Sequence, residues 1–442
     1  MSYSLSKKFT FGSLLIFALP TTIMMVVMSL YTIVDGVFVS RFVGTNALSS
    51  INIVFPVINL IIGLAVMFAA GSNAIIARQM GEGHSEKARE TFSMITGVGV
   101  MVGIAIALLG NLAIVPIVRL LGSSDVLLND CIAYLRWQLL ACPALILQTL
   151  FQTYFVTEGK PGIGLFLTVL AGIINVVFDY IFIVSFQMGV AGASLATAMG
   201  YMIPSVFGLL YFSLSKKVLW LVRFPFSGKD LLDTCINGSS EMVTNLSSGI
   251  ITFLFNIMMM RYAGENGVAA ITIIQYSQFL LNALIMGFAQ GVSPVISFNY
   301  GSQNVKQLKQ VFKTSITFVL LASLIVFVFS EVMGGFIVLV FAKPGTEVYD
   351  LARHGFHIFA ISFLFSGIST FASAVFTAFG NGKISAIISF VRTLGLIMIS
   401  LIVLPIFLGI DGVWWAVPVA EVGATILSLS YLKNQRNRYQ YI

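Results

Sequence analysis

Four polar side chains interrupt apolar runs in the first half of the chain, at positions where they could bind a cation or a proton. Asp35 lies in the apolar stretch at 20–44, and Asn175 and Asp179 lie in the run AGIINVVFDYIFIV. Because residues four apart share a helical face, Asn175 and Asp179 are expected to point the same way. Thr197 follows in GASLATAMGY. A carboxylate inside lipid costs roughly 2.5–3.5 kcal/mol on insertion scales, so these groups require a polar partner or a wet cavity.

Two carboxyl groups, an amide and a hydroxyl suit two kinds of chemistry. Their oxygens can coordinate a small hard cation such as sodium. Alternatively, two carboxyl groups in a medium of low dielectric constant can share a proton, because ionising both is costly. A structural role stays open, in which Asn175 and Asp179 satisfy neighbouring backbone groups and Asp35 caps a helix near the membrane surface.

The composition indicates a membrane protein. Of the 442 residues 58% are hydrophobic and 9% are charged, whereas a soluble domain carries about 25% charged residues. The net charge of +7 is spread over short loops between apolar runs, so no nucleic-acid partner is expected. Three cysteines give no disulfide framework.

Twelve apolar runs are long enough to cross a bilayer, each of about 20 residues or more. They fall at about 11–40, 47–77, 91–121, 127–157, 162–186, 190–214, 234–262, 267–298, 311–341, 348–379, 384–409 and 412–433. The basic residues concentrate in the loops on one side, which the positive-inside rule makes cytoplasmic, together with both termini. The fold class predicted is therefore an all-α polytopic membrane protein with twelve transmembrane helices.

The two halves of the chain match at an offset of 220 residues. The matching pairs are Gly71 with Gly291, Gly81 with Gly301, Thr157 with Thr377, Gly189 with Gly409, and Gly192 with Gly412. A shared register over this length indicates an internal duplication. We predict an N-terminal six-helix lobe at 1–214, a cytoplasmic linker at 215–233 and a C-terminal six-helix lobe at 234–442. Two six-helix bundles that enter from the same side are related by a pseudo-two-fold axis along the membrane normal, with the substrate between them.

The polar cluster does not follow this repeat. At the same offset Asp35 matches Phe255, Asn175 matches Gly395 and Asp179 matches Ile399. A cluster confined to one of two duplicated halves is expected to be specialised for function rather than required by the fold.

Several motifs carry a family resemblance. They are ALP at 18–20, VDGVFVSRFVGTNALSSINIVFP at 34–56, GSNAIIARQMGEG at 71–83, NVVFDYIF at 175–182, GASLAT at 192–197, YAGENGVAA at 262–270 and GFAQGVSPVISFNYGS at 287–302. On these, the chain resembles a bacterial member of the multidrug and toxic compound extrusion (MATE) family over essentially its whole length. The resemblance implies a secondary antiporter of the bacterial cytoplasmic (inner) membrane that exports organic cations in exchange for protons or sodium by alternating access. A monomer can contain the whole pathway, so a monomer is expected.

The resemblance also implies roles for particular residues. The family's cation-coupling site falls on Tyr31, Asp35, Asn175, Asp179 and Thr197, and sodium would be held by the last four. The proline that bends the first helix falls on Pro20, where a missing backbone N–H weakens the helix. One branch of the family has a second carboxylate site in the C-terminal half, with acids in the seventh and tenth helices. Here the tenth segment has only Asp350, at its outer end, so a second site stays open.

Further residues are candidates for the substrate cavity between the halves. They are Glu241, Met24, Met28, Asn245, Asn256 and Met258. Flexible methionines suit a cavity that accepts many shapes, and they are also ordinary filler in a membrane helix. Glu241 could neutralise a cationic substrate or only complement a helix dipole. Arg392 and Glu421 are expected to form a structural ion pair.

Two alternative functions differ in what they require of the sequence. A flippase for lipid-linked saccharides, from the same superfamily, would line its cavity with Arg and Lys, and only Arg136 and Arg392 lie within apolar segments. An enzyme would carry a catalytic motif, but neither GxxxxGK[ST] nor HExxH occurs. We therefore expect a transporter that is no enzyme, with no cofactor, whose partners are small organic cations and the lipid bilayer.

Overall fold

A computed structural model describes residues 4–43 and 45–442, and the side chains of residues 5–32, 34–35, 42–43 and 49–442. Most of the motif at 34–56 therefore lies outside the described side chains. Within the described residues the secondary structure is entirely helical.

The first half of the chain contains eight α-helices and one π-helical turn among its described residues. They are α1 (Phe11–Phe42), α2 (Thr45–Gly81), α3 (Ser85–Leu112), α4 (Ile114–Leu120), α5 (Leu128–Leu140), α6 (Cys142–Thr157), α7 (Pro161–Asp179), the π-turn Tyr180–Ser185 and α8 (Gly189–Leu214). A short 3₁₀ turn (Ser4–Ser6) precedes them.

The second half is built in the same way. Its elements are α9 (Gly228–Gly301), α10 (Val305–Phe341), α11 (Glu347–Ala360), α12 (Phe363–Ala378), α13 (Gly382–Phe390), the π-turn Val391–Gly395, α14 (Leu396–Leu408) and α15 (Ile410–Tyr439). The helices before α8 and α15 both end in a glycine of left-handed conformation, Gly189 with φ 58° and Gly409 with φ 60°. These two glycines are partners in the sequence repeat.

Twelve membrane spans follow from these helices. In the described part of the chain nine helices are long and apolar enough to span, and two bent pairs add one span each, α5 with α6 at 51° and α11 with α12 at 54°. Helix α9 has 74 residues, about 110 Å at 1.5 Å per residue, which is far more than one bilayer crossing. It breaks at Gly264, with φ 60° and ψ −150°, and so supplies two spans. The prediction of twelve is confirmed.

The two halves meet in a seam formed by α2 and the two ends of α9. A Cβ added at Gly81 would overlap the carbonyl oxygen of Phe298, and a Cβ added at Gly301 would overlap that of Arg78. Both partners of the first contact lie 220 residues from those of the second, so the two are one contact with its partners exchanged. The seam therefore lies on the predicted pseudo-two-fold axis.

A second exchanged pair lies beside the first. A Cβ at Gly71 would lie 2.9 Å from the backbone nitrogen of Gly238, and a Cβ at Gly291 would lie 3.1 Å from the Cα of Ala18. Glycine is required where two helix backbones approach this closely. All four contacts lie toward the side that carries the basic loops, so the two halves are packed together on that side.

The connection between α8 and α9 is docked on α3. The Arg89 guanidinium lies 3.4 Å from the centre of the Trp220 ring, and its Nε donates to the carbonyl of Val218 at 3.1 Å. The backbone N–H of Val222 donates to the Ser93 hydroxyl at 2.9 Å. Residues 215–227 are thus held against the first half.

Candidate functional site

Asp35 and Asp179 form a buried pair of carboxyl groups. Asp35 lies on α1 and Asp179 is the last residue of α7, with none of its surface exposed. The two groups are within hydrogen-bonding reach of each other. Neither oxygen of Asp179 nor Oδ1 of Asp35 has a donor among the described residues. Two ionised carboxylates in this position would be costly, so the pair requires a proton or a cation.

The other predicted site residues surround this pair. Asn175, one turn before Asp179, donates from Nδ2 to Thr197 Oγ1 at 3.4 Å, and the Thr197 hydroxyl donates to the Ala193 carbonyl at 3.0 Å. The Tyr31 hydroxyl lies beside Thr197 and Asp35. The structure therefore brings together all five residues, Tyr31, Asp35, Asn175, Asp179 and Thr197.

A π-helical turn fixes the position of Asp179. The turn Tyr180–Ser185 follows it directly, so the helix widens just after the carboxylate. Such turns often occur at functional sites because they re-aim side chains within a helix.

The oxygen atoms at this site fit a small hard cation. Asp35 Oδ1, both oxygens of Asp179 and Asn175 Oδ1 are buried and lack a donor among the described residues. Carboxylate and amide oxygens are the ligands that such cations prefer. The same donor-free set would also accept a proton on one carboxylate.

Two tyrosines at this site were not predicted. Tyr134 on α5 and Tyr201 on α8 both lie close enough to Asp35 for electrostatic interaction, and Tyr134 also to Asp179. One sequence signal was available, because Tyr201 follows Thr197 by four residues and so shares its helical face. Tyr134 lies in an apolar run without such a signal.

A cavity of about 250 Å³ lies beside the carboxyl pair and between the two halves. Its wall from the first half is largely apolar and includes Met24, Met25 and Met28 of α1. Polar groups of α6 contribute at one side, with Gln148 and Gln152. The second half supplies Glu241, Gln290, Ser293, Ala374 and Thr377. Tyr31 and Tyr201 line the cavity and also lie close to Asp35, so they form a wall shared by the cavity and the carboxyl pair.

The predicted cavity residues divide into two groups. Met24, Met28 and Glu241 line the cavity, whereas Asn245, Asn256 and Met258 do not. Asn245 packs against Gly63 of α2, with 3.5 Å between its Cβ and a Cβ placed on that glycine. Met258 packs against the apolar core of the second half. Asn256 has a buried Oδ1 without a partner among the described residues.

Pro20 lies in α1 between the seam and the cavity. The helix continues through it from Phe11 to Phe42. One turn further along the helix, Met24 lines the cavity, while the flanking residues Ala18 and Thr21 contact Gly291 at the seam. A bend at Pro20 would therefore act on both places.

Arg392 lies between two glutamates in the second half. It is carried by the π-turn Val391–Gly395 and lies close enough to act electrostatically on both Glu241 and Glu421. Its Nη1 donates to the Thr370 hydroxyl, while the Ser369 hydroxyl donates to Glu421 Oε2 at 2.9 Å. No direct Arg392–Glu421 ion pair is formed among these described side chains, so that expectation is replaced by a shared arginine.

Comparison with known proteins gives the family. The MatE family model matches residues 20–181 and again residues 242–403, two stretches of equal length that together cover more than half of the chain. The chain is similar to the multidrug export protein MepA of Staphylococcus saprophyticus, with 22% identity over 99% of this chain and 96% of the relative. It is also similar to MepA of Staphylococcus aureus, with 24% identity over 95% of this chain and 92% of the relative.

The fold matches solved structures just as fully. One is an outward-facing multidrug resistance MATE family transporter of the MOP superfamily, with a TM-score of 0.92, 23% identity and 98% of each chain covered. Another is MATE in the bent conformation, with a TM-score of 0.90, 24% identity, and 99% of this chain and 97% of that chain covered. The double match of the family model agrees with the internal repeat, and the predicted family is confirmed: the chain is a multi-pass membrane protein that belongs to the MatE family.

Proposed function

We propose that this protein is a secondary antiporter that exports lipophilic organic cations in exchange for protons or sodium. The observation that carries the proposal is the buried pair of Asp35 and Asp179, which lacks donors and shares a tyrosine wall with a cavity between the halves. The names of the relatives, multidrug export proteins, support the same function.

The coupling ion and the substrate interact through α1 in this proposal. Asp35 and Tyr31 lie on α1, as do the cavity methionines Met24 and Met28. A proton or sodium ion at the carboxyl pair changes the charge behind Tyr31 and favours a different shape of α1 around Pro20. By linkage, the ion and the substrate then lower each other's affinity by the same factor.

Transport requires the cavity to open alternately to each side. The lobes at 1–214 and 234–442 would rock about the seam, which in this structure is packed on the side predicted to be cytoplasmic. The cavity would then exchange with the outside in this state. Both termini are placed in the cytoplasm, and one chain holds both the cavity and the carboxyl pair, in keeping with a monomer.

The cavity wall favours cations over pyrophosphate-linked saccharides. Among the described lining residues there is no Lys or Arg, which a lipid-linked pyrophosphate would need. Arg136 is exposed on the outer face of α5, away from the cavity lining. The charge of the site therefore supports the antiporter over the flippase.

The test is efflux of ethidium from proteoliposomes that contain the full chain, with a proton gradient and a sodium gradient imposed separately. Asp35→Asn is compared with Asp350→Asn, an exposed aspartate near the start of α11 that keeps the charge change but not the site. We expect one gradient to drive efflux in the parent and in Asp350→Asn, and neither gradient in Asp35→Asn. Folded, oriented protein that moves ethidium under neither gradient would refute the proposal.

A further inference from the structure

The cavity has a single ionisable carboxylate in its described lining, and that carboxylate is not one of the coupling pair. Among the described lining residues Glu241 alone is acidic or basic. Asp35 and Asp179 lie behind Tyr31 and Tyr201 and do not line the cavity. A positively charged molecule in the cavity would therefore meet Glu241 first.

Glu241 is also free to accept a ligand. It lies on α9, where its backbone carbonyl accepts from Asn245 Nδ2 at 2.9 Å. Its carboxylate receives no hydrogen bond from the described residues, although its side chain is partly exposed to the cavity. A half-buried carboxylate without a donor is an open position for a cation.

The surrounding charges lack one positive charge. Behind Glu241 lies Arg392, which acts on both Glu241 and Glu421. Arg392 is held by the Thr370 hydroxyl and by the Ser366 carbonyl at 3.5 Å, and Glu421 by the Ser369 hydroxyl. Two carboxylates and one guanidinium leave a net charge of minus one on fixed side chains in a medium where charge is poorly screened.

We propose that Glu241 is the carboxylate that receives the cationic group of the substrate, and that Arg392, shared with Glu421, restricts this site to monovalent cations. One bound positive charge neutralises the cluster, whereas a second leaves an uncompensated charge beside Arg392. The inference rests on the proposed export of organic cations and adds to it a separate carboxylate for the substrate. Substrate and coupling ion thus bind at different carboxylates, one in each half.

The test compares two flat, two-ring cations that differ by one charge. N-methyl-4-phenylpyridinium carries one positive charge and 1,1′-dimethyl-4,4′-bipyridinium carries two. Binding of each to the full chain in detergent is measured by isothermal titration calorimetry. We expect the parent to bind the monocation about tenfold more tightly than the dication, and Glu241→Gln to lose monocation affinity by about tenfold.

Substitutions at the other two positions separate charge from structure. Arg392→Met gives the cluster a charge of minus two and should shift the ratio of affinities toward the dication by about tenfold, while Arg392→Lys should keep the parental ratio. Glu421→Gln, which does not line the cavity, gives a neutral cluster and should weaken monocation binding. The double variant Arg392→Met with Glu421→Gln restores minus one and should regain the preference for the monocation.

Each outcome bears on the proposal. Parental affinity in Glu241→Gln, an unchanged ratio in Arg392→Met, or no recovery in the folded double variant would overturn it, as would a parent that fails to bind the monocation. The proposed antiport fails separately, if the parent binds the monocation but neither gradient drives efflux. Gradient-driven efflux with full affinity in Glu241→Gln would leave antiport intact and remove only this site.

Discussion

Substituting Gly301 by alanine should loosen the seam between the halves. The added Cβ would overlap the carbonyl oxygen of Arg78 and lie 3.0 Å from its carbonyl carbon, inside the 3.4 Å at which ordinary contact begins. The helices must separate by about 1 Å to restore van der Waals distances. Overpacking of this kind costs about 1–3 kcal/mol, which shifts the balance between packed and separated seams by about 5- to 150-fold.

The seam can be followed by the distance between spin labels on either side of it. Exposed Lys87 on α3 and Lys309 on α10 are replaced by labelled cysteines after the three native cysteines have been replaced by alanine. Double electron–electron resonance should show a longer second distance in Gly301→Ala. Gly162→Ala is the matched control, because a Cβ there meets nothing within 4 Å.

The exchanged geometry makes a further demand on the double variant. Gly81→Ala alone should act like Gly301→Ala, and one separation of the seam relieves both overlaps. The two substitutions together should therefore shift the distribution by less than the sum of their single effects. Distances in Gly301→Ala that equal those of the parent and of Gly162→Ala would refute the reasoning.

Three further predictions concern other contacts. Arg89→Ala removes the guanidinium from Trp220 and from the Val218 carbonyl. It should loosen residues 215–227 by about 1–2 kcal/mol, seen as faster proteolysis there but not in exposed Arg223→Ala. Burial raises the pKa of Glu158, and Lys160, 3.2 Å away, counteracts this. Because a raised pKa makes the folded state less stable as pH rises, Lys160→Met should lower Tm more at pH 8 than at pH 5, and equal losses would contradict it. Tyr441→Ala removes a buried ring packed on Phe312 and Phe379. It should cost about 3–5 kcal/mol in thermal unfolding, and exposed Ile442→Ala should not.

The twelve spans could be predicted because the length of an apolar run is a direct requirement of the bilayer. The breaks inside them could be predicted only in part. The bend between α5 and α6 has Pro143 next to it, but the bend between α11 and α12 falls at Ile361 and Ser362, with no proline or glycine. Such a bend depends on how neighbouring helices pack, which a single run of sequence does not contain.

The candidate site shows the same division. The grouping of Asp35 with Asp179 was predictable, because a carboxylate in lipid must find a polar partner and few are available. The position of Arg392 was not, because the π-turn Val391–Gly395 turns it toward Glu241 as well as Glu421. Helical spacing gives the face on which Asn245 lies, but not that Gly63 of α2 covers that face.

The exchanged contact at Gly81 and Gly301 has a consequence for how the chain evolved. Before the duplication, a six-helix ancestor would have formed this seam with a second copy of itself, as an isologous dimer contact. Each substitution at the seam would then have appeared on both sides at once, and each acidic residue gained for binding would have appeared twice. Fusion into one chain removed that constraint. Only then could one half acquire Asp35 and Asp179 while the other kept Phe255 and Ile399 in the same register, so that the two halves could specialise without losing the glycines that join them.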